Sequence, residues 1–569
     1  MLHDLYTTRG ENLTGTPWTV YPRPQMRRDS YINLNGEWEF SVDEAEKGTI
    51  LVPFCPESLL SGIKEHFPEG SLLCYRRSFV LPEGFRRGRV ILHVGAADQE
   101  AEVYVNGRHV GSHFGGYEAF SFDITDTLAE ENRLEIRCRD DLRDLSIPYG
   151  KQVLKRGGMW YTPVSGIWQT VWLESVPQAY IEKLTIENRG TSVTIDIGVD
   201  LPGTVTVAGL GTYRLEGGKV TISPENPRLW SPEDPYLYEF TVEAGEDRVE
   251  SYFALRTLEI KTIGGYQRLC LNGRPYFFHG LLDQGYWPDG LFTPAAPECY
   301  ADDILAMKKL GFNMLRKHIK VEPEEFYYQC DRLGMVVFQD MVNNGKYSYV
   351  RDTVMPTVSL TSQKILPDKH LHSDENGRKR FLNGMKATVN QLKNHPSILY
   401  WTIFNEGWGQ FDSDSVYEQL KKLDDTRWID STSGWFRRKK TDVDSRHVYF
   451  RKINLKSVDK PLVLSEFGGF AYKVEGHLFN TDKEYGYGSY DDLNAFCDAV
   501  AKVYLEQAVP SAKNGLCAAV YTQVSDVEDE INGLLTYDRK VEKLTPKKML
   551  PVARALQTAV QEGEMSHVE

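Results

Sequence analysis

The sequence lacks several features that mark particular classes of protein. It has no apolar run near the 18 or so residues of a membrane span, and it does not open with a basic segment followed by an apolar one. Positive charge is not in excess, because 66 Lys and Arg stand against 80 Asp and Glu and leave a net charge of −14. This balance argues against binding to nucleic acid or to an anionic membrane through bulk charge.

Cysteine is scarce and follows no pattern. The eight cysteines are scattered, and none forms a Cys-x-x-Cys pair, so the sequence indicates neither a disulfide framework nor a zinc site. We therefore expect reduced thiols and a cytoplasmic protein. We also find no clear cluster of metal ligands, and we predict that the protein needs no metal or cofactor.

What is present in the first 260 residues is a series of short β-strand patterns. Residues 101–105 alternate in polarity and lead through Asn106-Gly107 into 108–111, which predicts a hairpin with a type I′ turn. A second run of short strands begins near residue 178. The two runs predict a jelly-roll β-sandwich over 1–177 and an immunoglobulin-like β-sandwich over 178–262.

The pattern changes after about residue 263, where apolar strand-like runs begin to alternate with amphipathic helical segments. The run at 276–282 precedes a helical pattern at 300–310, and the run at 398–404 precedes another at 413–424. About eight such runs occur in the remaining 300 or so residues, which is typical of a (β/α)8 barrel. We therefore predict a catalytic TIM barrel over 263–569.

Active groups of such barrels lie at the carboxyl ends of the strands. The fourth predicted strand ends in Asn405-Glu406, and the seventh ends in Ser465-Glu466. Two glutamates at one barrel mouth suit glycoside hydrolysis, in which one carboxyl donates a proton and the other is ionised. A Glu at a strand end can instead be a solvated or salt-bridged group. This explanation is less favoured when two glutamates occur at the ends of two buried-looking strands than when one does.

The order of several motifs resembles that of glycoside hydrolase family 2, which includes β-galactosidases, β-glucuronidases and β-mannosidases. The resemblance covers nearly the whole chain. Its motifs, each weak alone, are Tyr31-Ile-Asn-Leu-Asn-Gly-Glu-Trp-Glu-Phe40, Val103-Tyr-Val-Asn-Gly-Arg-His-Val-Gly111, Ser165-Gly-Ile-Trp-Gln-Thr-Val-Trp-Leu-Glu174, Leu229-Trp-Ser-Pro-Glu-Asp-Pro-Tyr-Leu-Tyr238 and Leu271-Asn-Gly-Arg-Pro275.

This resemblance implies a retaining mechanism and a role for each strand-end residue. Glu466 matches the family's nucleophile, Glu406 its acid/base, and Asn405 the residue that binds the 2-hydroxyl of the sugar. Arg316 matches the arginine of the second strand, and Tyr449 the tyrosine of the sixth. We expect a cation such as Arg316 to keep Glu466 ionised.

Further candidates for substrate binding come from the ends of other strands. Asp340 follows the third strand, His318 the second, and Asp283 opens the loop after the first. Trp408 and Trp435 follow the fourth and fifth strands and could stack on sugar faces. For Arg316, Tyr449, Asp340, His318, Trp408 and Trp435, a plain role in packing or in an ion pair stays open. His318 also departs from the family's usual spacing.

Two departures from the family bear on the sugar. The glucuronidase branch carries an Asn-x-Lys motif that binds the uronate carboxylate, and none occurs after the eighth predicted strand; Asn454-Leu455-Lys456 has that form but lies between strands six and seven. The acidic stretch 526–530 would repel a uronic acid if it lined the pocket. The chain also stops soon after strand eight, so we expect none of the further domains of the large β-galactosidases.

We therefore predict an exo-acting retaining glycosidase for a neutral sugar, with a β-galactoside as the first candidate. The loops 342–377 and 467–488, with the jelly roll, are expected to close the barrel mouth into a pocket. An α-L-arabinofuranosidase or a β-galactofuranosidase with the same machinery is the alternative, and a non-catalytic carbohydrate-binding protein is a remote one. The expected partners are a glycoside or small oligosaccharide and further copies of the chain.

Overall fold

The computed structural model describes residues 1–357, 367–368, 371–372, 374–449 and 451–565. Three bodies of secondary structure follow one another along the chain, and the last is an eight-stranded parallel barrel. The predicted fold class, a jelly-roll sandwich, an immunoglobulin-like sandwich and a TIM barrel, is confirmed. No helix in the described part of the chain is long and apolar enough to span a membrane.

The amino-terminal domain is a sandwich of two antiparallel sheets. Its apolar core lies between the sheets and includes Trp38, Tyr75 and Ile136. One sheet has the order Tyr31–Asn33, Val171–Val176, Arg89–Val94, Phe120–Asp123. The other has the order Ala45–Val52, Gly36–Val42, Leu73–Phe79, Asn132–Arg139, Glu100–Val105, Arg108–Phe114. Minor elements are the helical turns Thr8–Glu11 and Thr125–Thr127 and the strand pair Ala97–Asp98 and Gly166–Ile167.

The predicted hairpin is present in the second of these sheets. Glu100–Val105 pairs with Arg108–Phe114, and Asn106 and Gly107 both have positive φ, of 52° and 76°. Two central residues with positive φ define the type I′ turn.

A smaller antiparallel sandwich follows. Its first sheet consists of Thr185–Arg189, Ser192–Asp196 and Lys219–Ile222. Its second consists of Gly211–Arg214, Gly203–Val207, Tyr238–Ala244 and Asp247–Phe253. The strands Leu258–Ile263, Tyr266–Leu271 and Arg274–Pro275 then lead into the barrel. The exact boundaries predicted at 177/178 and 262/263 stay predictions.

The barrel strands, numbered here from the first strand of the barrel, are β1 Phe278–Asp283, β2 Met314–Lys317, β3 Val336–Asp340, β4 Ile398–Asn405, β5 Trp428–Ser433, β6 Asp444–Val448, β7 Leu462–Gly468 and β8 Leu516–Thr522. Their spatial order is 5-4-3-2-1-8-7-6, and every pairing is parallel. At the two ends of this order, Ser433 Oγ of β5 lies 3.3 Å from Ser445 Oγ of β6.

Helices surround the barrel and have local start and stop signals. Asp374 caps the helix Glu375–Leu392, because its carboxylate accepts from the backbone N–H groups of Asn376 and Gly377. Glu324–Leu333 ends at Gly334, whose φ of 72° terminates the helix. The other long helices are Glu298–Lys309, Ser413–Leu423, Leu493–Val503 and Pro546–Met565, with shorter turns Tyr349–Val354, Met355–Thr357, Tyr504–Ala508 and Val509–Lys513. A small parallel pair, Phe470–Tyr472 and Gly488–Tyr490, lies after β7.

Candidate active site

The two glutamates singled out in the sequence meet at the mouth of the barrel. Glu466 lies within β7, and Glu406 directly follows β4 with a φ of 55°. The backbone N–H of Glu406 donates to the carbonyl of Ser433 on β5 at 2.9 Å, which fixes the turn. One carboxylate oxygen of each glutamate and one ring nitrogen of His447 lie within 4.8 Å of one another.

Glu466 is held by hydrogen bonds on both oxygens. Arg316 Nη1 donates to its Oε1 at 3.0 Å, and the Tyr449 hydroxyl donates to its Oε2 at 2.7 Å. Only 5% of the residue is exposed, and burial alone would raise its pKa. His447, Arg316 and His318 outweigh burial, so the pKa of Glu466 lies below its usual value and the carboxylate is ionised at neutral pH.

Arg316 organises the floor of the site. It is 1% exposed, and its Nε donates to Asp340 Oδ1 at 3.0 Å while its Nη2 donates to Asn405 Oδ1 at 2.9 Å. Because the Asn405 carbonyl oxygen is occupied in this way, the amide NH2 is the group that remains for a ligand. Burial opposes ionisation of Asp340, but Arg316 and His318 outweigh it and lower its pKa. His318 Nδ1 lies 2.7 Å from Asp340 Oδ2, so His318 and Arg316 hold the same carboxylate.

His447 is a site residue that the sequence analysis did not select. Its Nδ1 lies 2.7 Å from Glu406 Oε1 and 3.5 Å from Glu466 Oε2, and its Nε2 lies 3.1 Å from Ser433 Oγ. The ring therefore contacts both carboxylates. The available signal was its place two residues before Tyr449, because alternate residues along an extended segment face the same side.

The predicted tryptophans occupy different places. Trp435 lines the cleft, and its ring centroid lies 5.4 Å from that of His447. Trp408 is only 3% exposed, its Nε1 donates to the carbonyl of Gly345, and it packs edge-on against Trp160. Trp408 thus supports the wall of the cleft from behind, and its position gives no support to the predicted stacking on sugar.

Asp283 turns away from the site. Lys317 Nζ donates to its Oδ2 at 2.7 Å and lies 4.2 Å over the ring of Phe326 on a surrounding helix. Residues 316 and 317 alternate along β2, so Arg316 faces the barrel interior and Lys317 faces the helices. The ion pair of Asp283 with Lys317 gives no support to the predicted contact of Asp283 with substrate.

A cleft of about 500 Å³ opens above Glu406, His447 and Tyr449. Much of its wall is aromatic, and the amino-terminal domain supplies part of it, including Trp160. The other residues that line it are Gly157, Gly158, Met159, Tyr347, Tyr349, Asp352, Pro356, Trp435, Val448, Arg451, Tyr485 and Tyr487. Part of the predicted loop 342–377, namely 358–366, 369–370 and 373, lies outside the described residues.

The segment of the amino-terminal domain that reaches the cleft is anchored on the barrel. The backbone N–H groups of Tyr149 and Gly150 donate to the carbonyl of Asn343 at 3.1 and 3.2 Å, and the Tyr149 hydroxyl donates to that of Gly345 at 2.7 Å. Sequence patterning could not predict this contribution, because it depends on contacts between residues about 200 positions apart.

The acidic stretch 526–530 does not have the effect expected from the sequence. Lys543 Nζ donates to Asp526 at 2.6 Å, and Arg156 Nη1 donates to Asp529 at 2.9 Å. Glu530 accepts a hydrogen bond from Tyr161. None of these carboxylates is among the described residues that line the cleft. The described lining of the cleft therefore gives no support to the argument that this stretch repels a uronic acid.

Within the described ranges of the chain, Glu406, His447 and Glu466 form a group close enough together to hold a metal ion. Arg316 lies 3.0 Å from Glu466 and already supplies positive charge to the cluster. A second cation there would be repelled by the guanidinium. The predicted absence of a cofactor stays a prediction.

A barrel with two glutamates at the ends of β4 and β7, preceded by two β-sandwiches, is the architecture of a glycosidase. Three family descriptions match the chain in order: the sugar-binding domain of glycosyl hydrolases family 2 over 65–177, the family 2 domain over 177–256 and the family's TIM barrel domain over 265–549. The chain belongs to glycoside hydrolase family 2.

Individual relatives have different specificities. A β-galactosidase of Thermoanaerobacter pseudethanolicus is 24% identical over 431 residues, which cover 69% of this chain and 52% of that one. A β-glucuronidase of Chlorocebus aethiops is 24% identical over 483 residues, covering 72% and 69%. The solved structure of a β-D-glucuronidase from Dictyoglomus thermophilum has a TM-score of 0.71 at 20% identity, covering 95% and 98%. The match thus spans about half the length of the β-galactosidase relative.

Proposed function

We propose that the chain hydrolyses glycosides with retention of anomeric configuration, with Glu466 as the nucleophile and Glu406 as the acid/base. The observation that carries this proposal is the distance of at most 4.8 Å between one oxygen of each carboxylate. Retaining glycosidases keep their two carboxyl groups about 5–5.5 Å apart, whereas inverting ones need about 6.5–9.5 Å for a water molecule.

The first step forms a covalent glycosyl-enzyme. Glu466 attacks the anomeric carbon, the bond from that carbon to the leaving oxygen breaks, and Glu406 gives its proton to that oxygen. Arg316 and Tyr449 hold Glu466 in place through the 3.0 and 2.7 Å hydrogen bonds. The Asn405 amide, oriented by Arg316, donates to the 2-hydroxyl, a contact that strengthens as the transition state forms.

The second step releases the sugar. Once Glu466 is an ester it carries no charge, so Glu406, now ionised, takes a proton from water. The water oxygen attacks the anomeric carbon, the bond to Glu466 breaks and the nucleophile is restored. Two displacements at the same carbon return the original configuration.

For the sugar, we retain a neutral glycone with a β-galactoside as the first candidate and the two furanosides as alternatives. This choice now depends on the absence of Asn-x-Lys after β8, because the acidic stretch 526–530 is paired away from the cleft. The relatives include both a β-galactosidase and a β-glucuronidase, so a uronic acid belongs in the same test. The enclosing cleft, with a wall from the amino-terminal domain, favours exo action on a terminal sugar.

The test is hydrolysis of 4-nitrophenyl β-galactopyranoside, β-glucoside, β-mannoside, β-glucuronide, α-L-arabinofuranoside and β-galactofuranoside. We expect one neutral glycoside to dominate and kcat to fall by at least about 10³-fold in Glu466→Gln. Glu406→Gln should lose about 10²–10⁴-fold on substrates with a poor leaving group and less on the activated phenol. Glu225→Gln, on an exposed loop of the second domain, is the matched control and should keep full activity.

The stereochemistry of the first-formed product tests the mechanism separately. NMR of the fresh product should reveal the anomer of the substrate, and an inverted anomer would contradict the retaining assignment. Cleavage of the glucuronide alone would overturn the neutral-sugar proposal. Silence across the panel, with an intact fold, would favour the non-catalytic binding protein.

A further inference from the structure

A second cavity lies where the immunoglobulin-like domain meets the amino-terminal ends of β4 and β5, at the opposite end of these strands from Glu406. Its volume is about 310 Å³. One wall is the strand Thr185–Arg189, and the other two are the segments that precede β4 and β5. None of the groups assigned to catalysis above lines this cavity, so it needs a separate explanation.

Arg256 is the buried cation of this cavity. The residue is 2% exposed, and its Nη2 donates to the carbonyl of Ile398 at 3.0 Å while Nη1 makes a long contact of 3.4 Å with Asn188. Its Nε is buried without a hydrogen-bond partner, and no carboxylate in the described part of the chain forms an ion pair with it. Burial and the neighbouring Arg427 lower the pKa of Arg256 to about 9.

A second guanidinium converges on the same point. Arg427 Nε also donates to the carbonyl of Ile398, at 2.7 Å, and Arg427 Nη1 pairs with Asp424 at 2.7 Å. Two buried guanidinium groups thus donate to one carbonyl oxygen, and of the two only Arg427 has a carboxylate partner among the described residues. A desolvated cation with no counter-charge is costly, so the arrangement leaves one positive charge to be compensated.

Two lysines in the walls of the cavity add to this surplus of positive charge. Lys393 is half-buried and Lys422 is exposed, and neither forms an ion pair within the described ranges. Burial, together with Lys183, lowers the pKa of Lys393. The carboxylates Glu187 and Asp425 also line the cavity, but both pair with Arg189.

We propose that this cavity binds a small oxyanion of the phosphate or sulfate type, which links the immunoglobulin-like domain to the barrel. Such an ion would accept hydrogen bonds from the ammonium groups of Lys393 and Lys422 and would place its negative charge beside Arg256. Because strand Thr185–Arg189 and the segments before β4 and β5 belong to different domains, the bound ion stabilises their contact.

Binding is measured on the full chain with inorganic phosphate, by isothermal titration calorimetry and by thermal unfolding at constant ionic strength. We expect a saturable rise in Tm at millimolar phosphate, whereas general salt exclusion gives a gradual rise over hundreds of millimolar. Sulfate should compete, and methyl phosphate in a parallel arm separates free phosphate from a phosphate ester. A Tm that is equal in phosphate and chloride at low millimolar concentration would overturn the proposal.

Three lysine variants identify the site. Lys393→Met and Lys422→Met should each weaken phosphate binding about tenfold, and neither should lower Tm in chloride, because the removed charge had no partner. Lys379→Met, an exposed lysine on the helix Glu375–Leu392 that does not line the cavity, should bind phosphate as the parent does. A purely structural lysine would lower Tm equally in both salts, and that outcome, or unchanged binding in both variants, would overturn the proposal.

Discussion

At the residue scale, the behaviour of the site depends on how Glu466 is kept ionised. Burial favours its protonated form, and the interactions with His447 and Arg316 outweigh burial and lower the pKa of Glu466. These two groups lie on β2 and β6, and both are buried beside Glu466 of β7. The protein thus places a carboxylate, a guanidinium and an imidazole in a volume from which water is largely excluded.

This arrangement predicts the acidic limb of the pH profile. Because the pKa of Glu466 is lowered, kcat/KM should persist below the usual carboxyl range and decline as pH falls through the lowered pKa. In Arg316→Met the pKa should rise, and the acidic limb should move to higher pH. The measurement is kcat/KM against pH, with Arg87→Met as an exposed control. An unchanged limb in Arg316→Met would contradict the electrostatic role of the guanidinium.

His447 supports a second prediction at this scale. Replacing it by Phe removes a hydrogen bond to Glu406 and the nearby ring nitrogen at Glu466. A hydrogen bond to a charged group contributes about 1.5–3 kcal/mol, so kcat should fall about 10- to 100-fold, with a smaller change in KM. His109→Phe, on the exposed face of the first domain, should leave kcat unchanged. Equal kcat values in the two variants would contradict a role for His447 in the reaction.

At the element scale, the turn that follows β4 determines where Glu406 points. Glu406 has positive φ, and Gly407, with a φ of 79°, follows it. A Cβ atom on Gly407 would lie 2.4 Å from the ring of Phe436, so a larger residue does not fit there. Glu406 is the acid/base candidate and directly precedes this glycine. Gly407 therefore helps to set the direction of the Glu406 side chain through the backbone of the turn.

Gly407→Ala should therefore lower both stability and activity. We expect a loss of about 2–4 kcal/mol from the strained φ and the clash together, and a fall in kcat as Glu406 shifts. Gly84→Ala is the matched control, because its φ of 76° is similar but nothing lies within 4 Å of the added Cβ. Comparing the Tm and kcat of the two variants isolates the contact with Phe436. Full activity in Gly407→Ala would contradict this account of the turn.

Sequence patterns predicted the elements well where local signals exist. The alternation of runs predicted eight barrel strands, and Asn106-Gly107 predicted its hairpin because only residues that tolerate positive φ fit a type I′ turn. The boundaries were less accurate. The helical pattern predicted at 300–310 corresponds to a helix over Glu298–Lys309, and β7 extends through Glu466 to Gly468.

At the scale of the whole molecule, a buried arginine joins the two sandwiches. Arg28 connects the two sandwiches, because its Nη1 donates to Glu174 at 3.1 Å and its Nη2 donates to Asp247 at 2.7 Å. Asp247 is buried, and its other contacts include the backbone N–H of Ile181. The predicted self-association and cytoplasmic location stay predictions.

Removing this arginine should destabilise the chain substantially. Arg28→Met leaves Asp247 buried without its cation, and breaking such a pair costs about 3–5 kcal/mol. The pair of Arg87 with Asp29 is the control, since 53% and 75% of those side chains are exposed and such pairs contribute about 0–1 kcal/mol. The readout is the first unfolding transition in urea, followed for Arg28→Met, Arg87→Met and the parent. Equal transitions in the two variants would contradict a joining role for Arg28.

The sequence by itself determined the fold class and the places of Glu406 and Glu466 at strand ends. Strand alternation, turn residues and strand-end motifs are local, so they can be read along the chain. Only the tertiary structure decided which neighbours each side chain meets. It brought His447 to both carboxylates, carried Trp160 of the first domain into the cleft and paired the acidic stretch 526–530 with Arg156 and Lys543. These outcomes depend on contacts between residues that are distant in sequence, and no local pattern specifies such contacts.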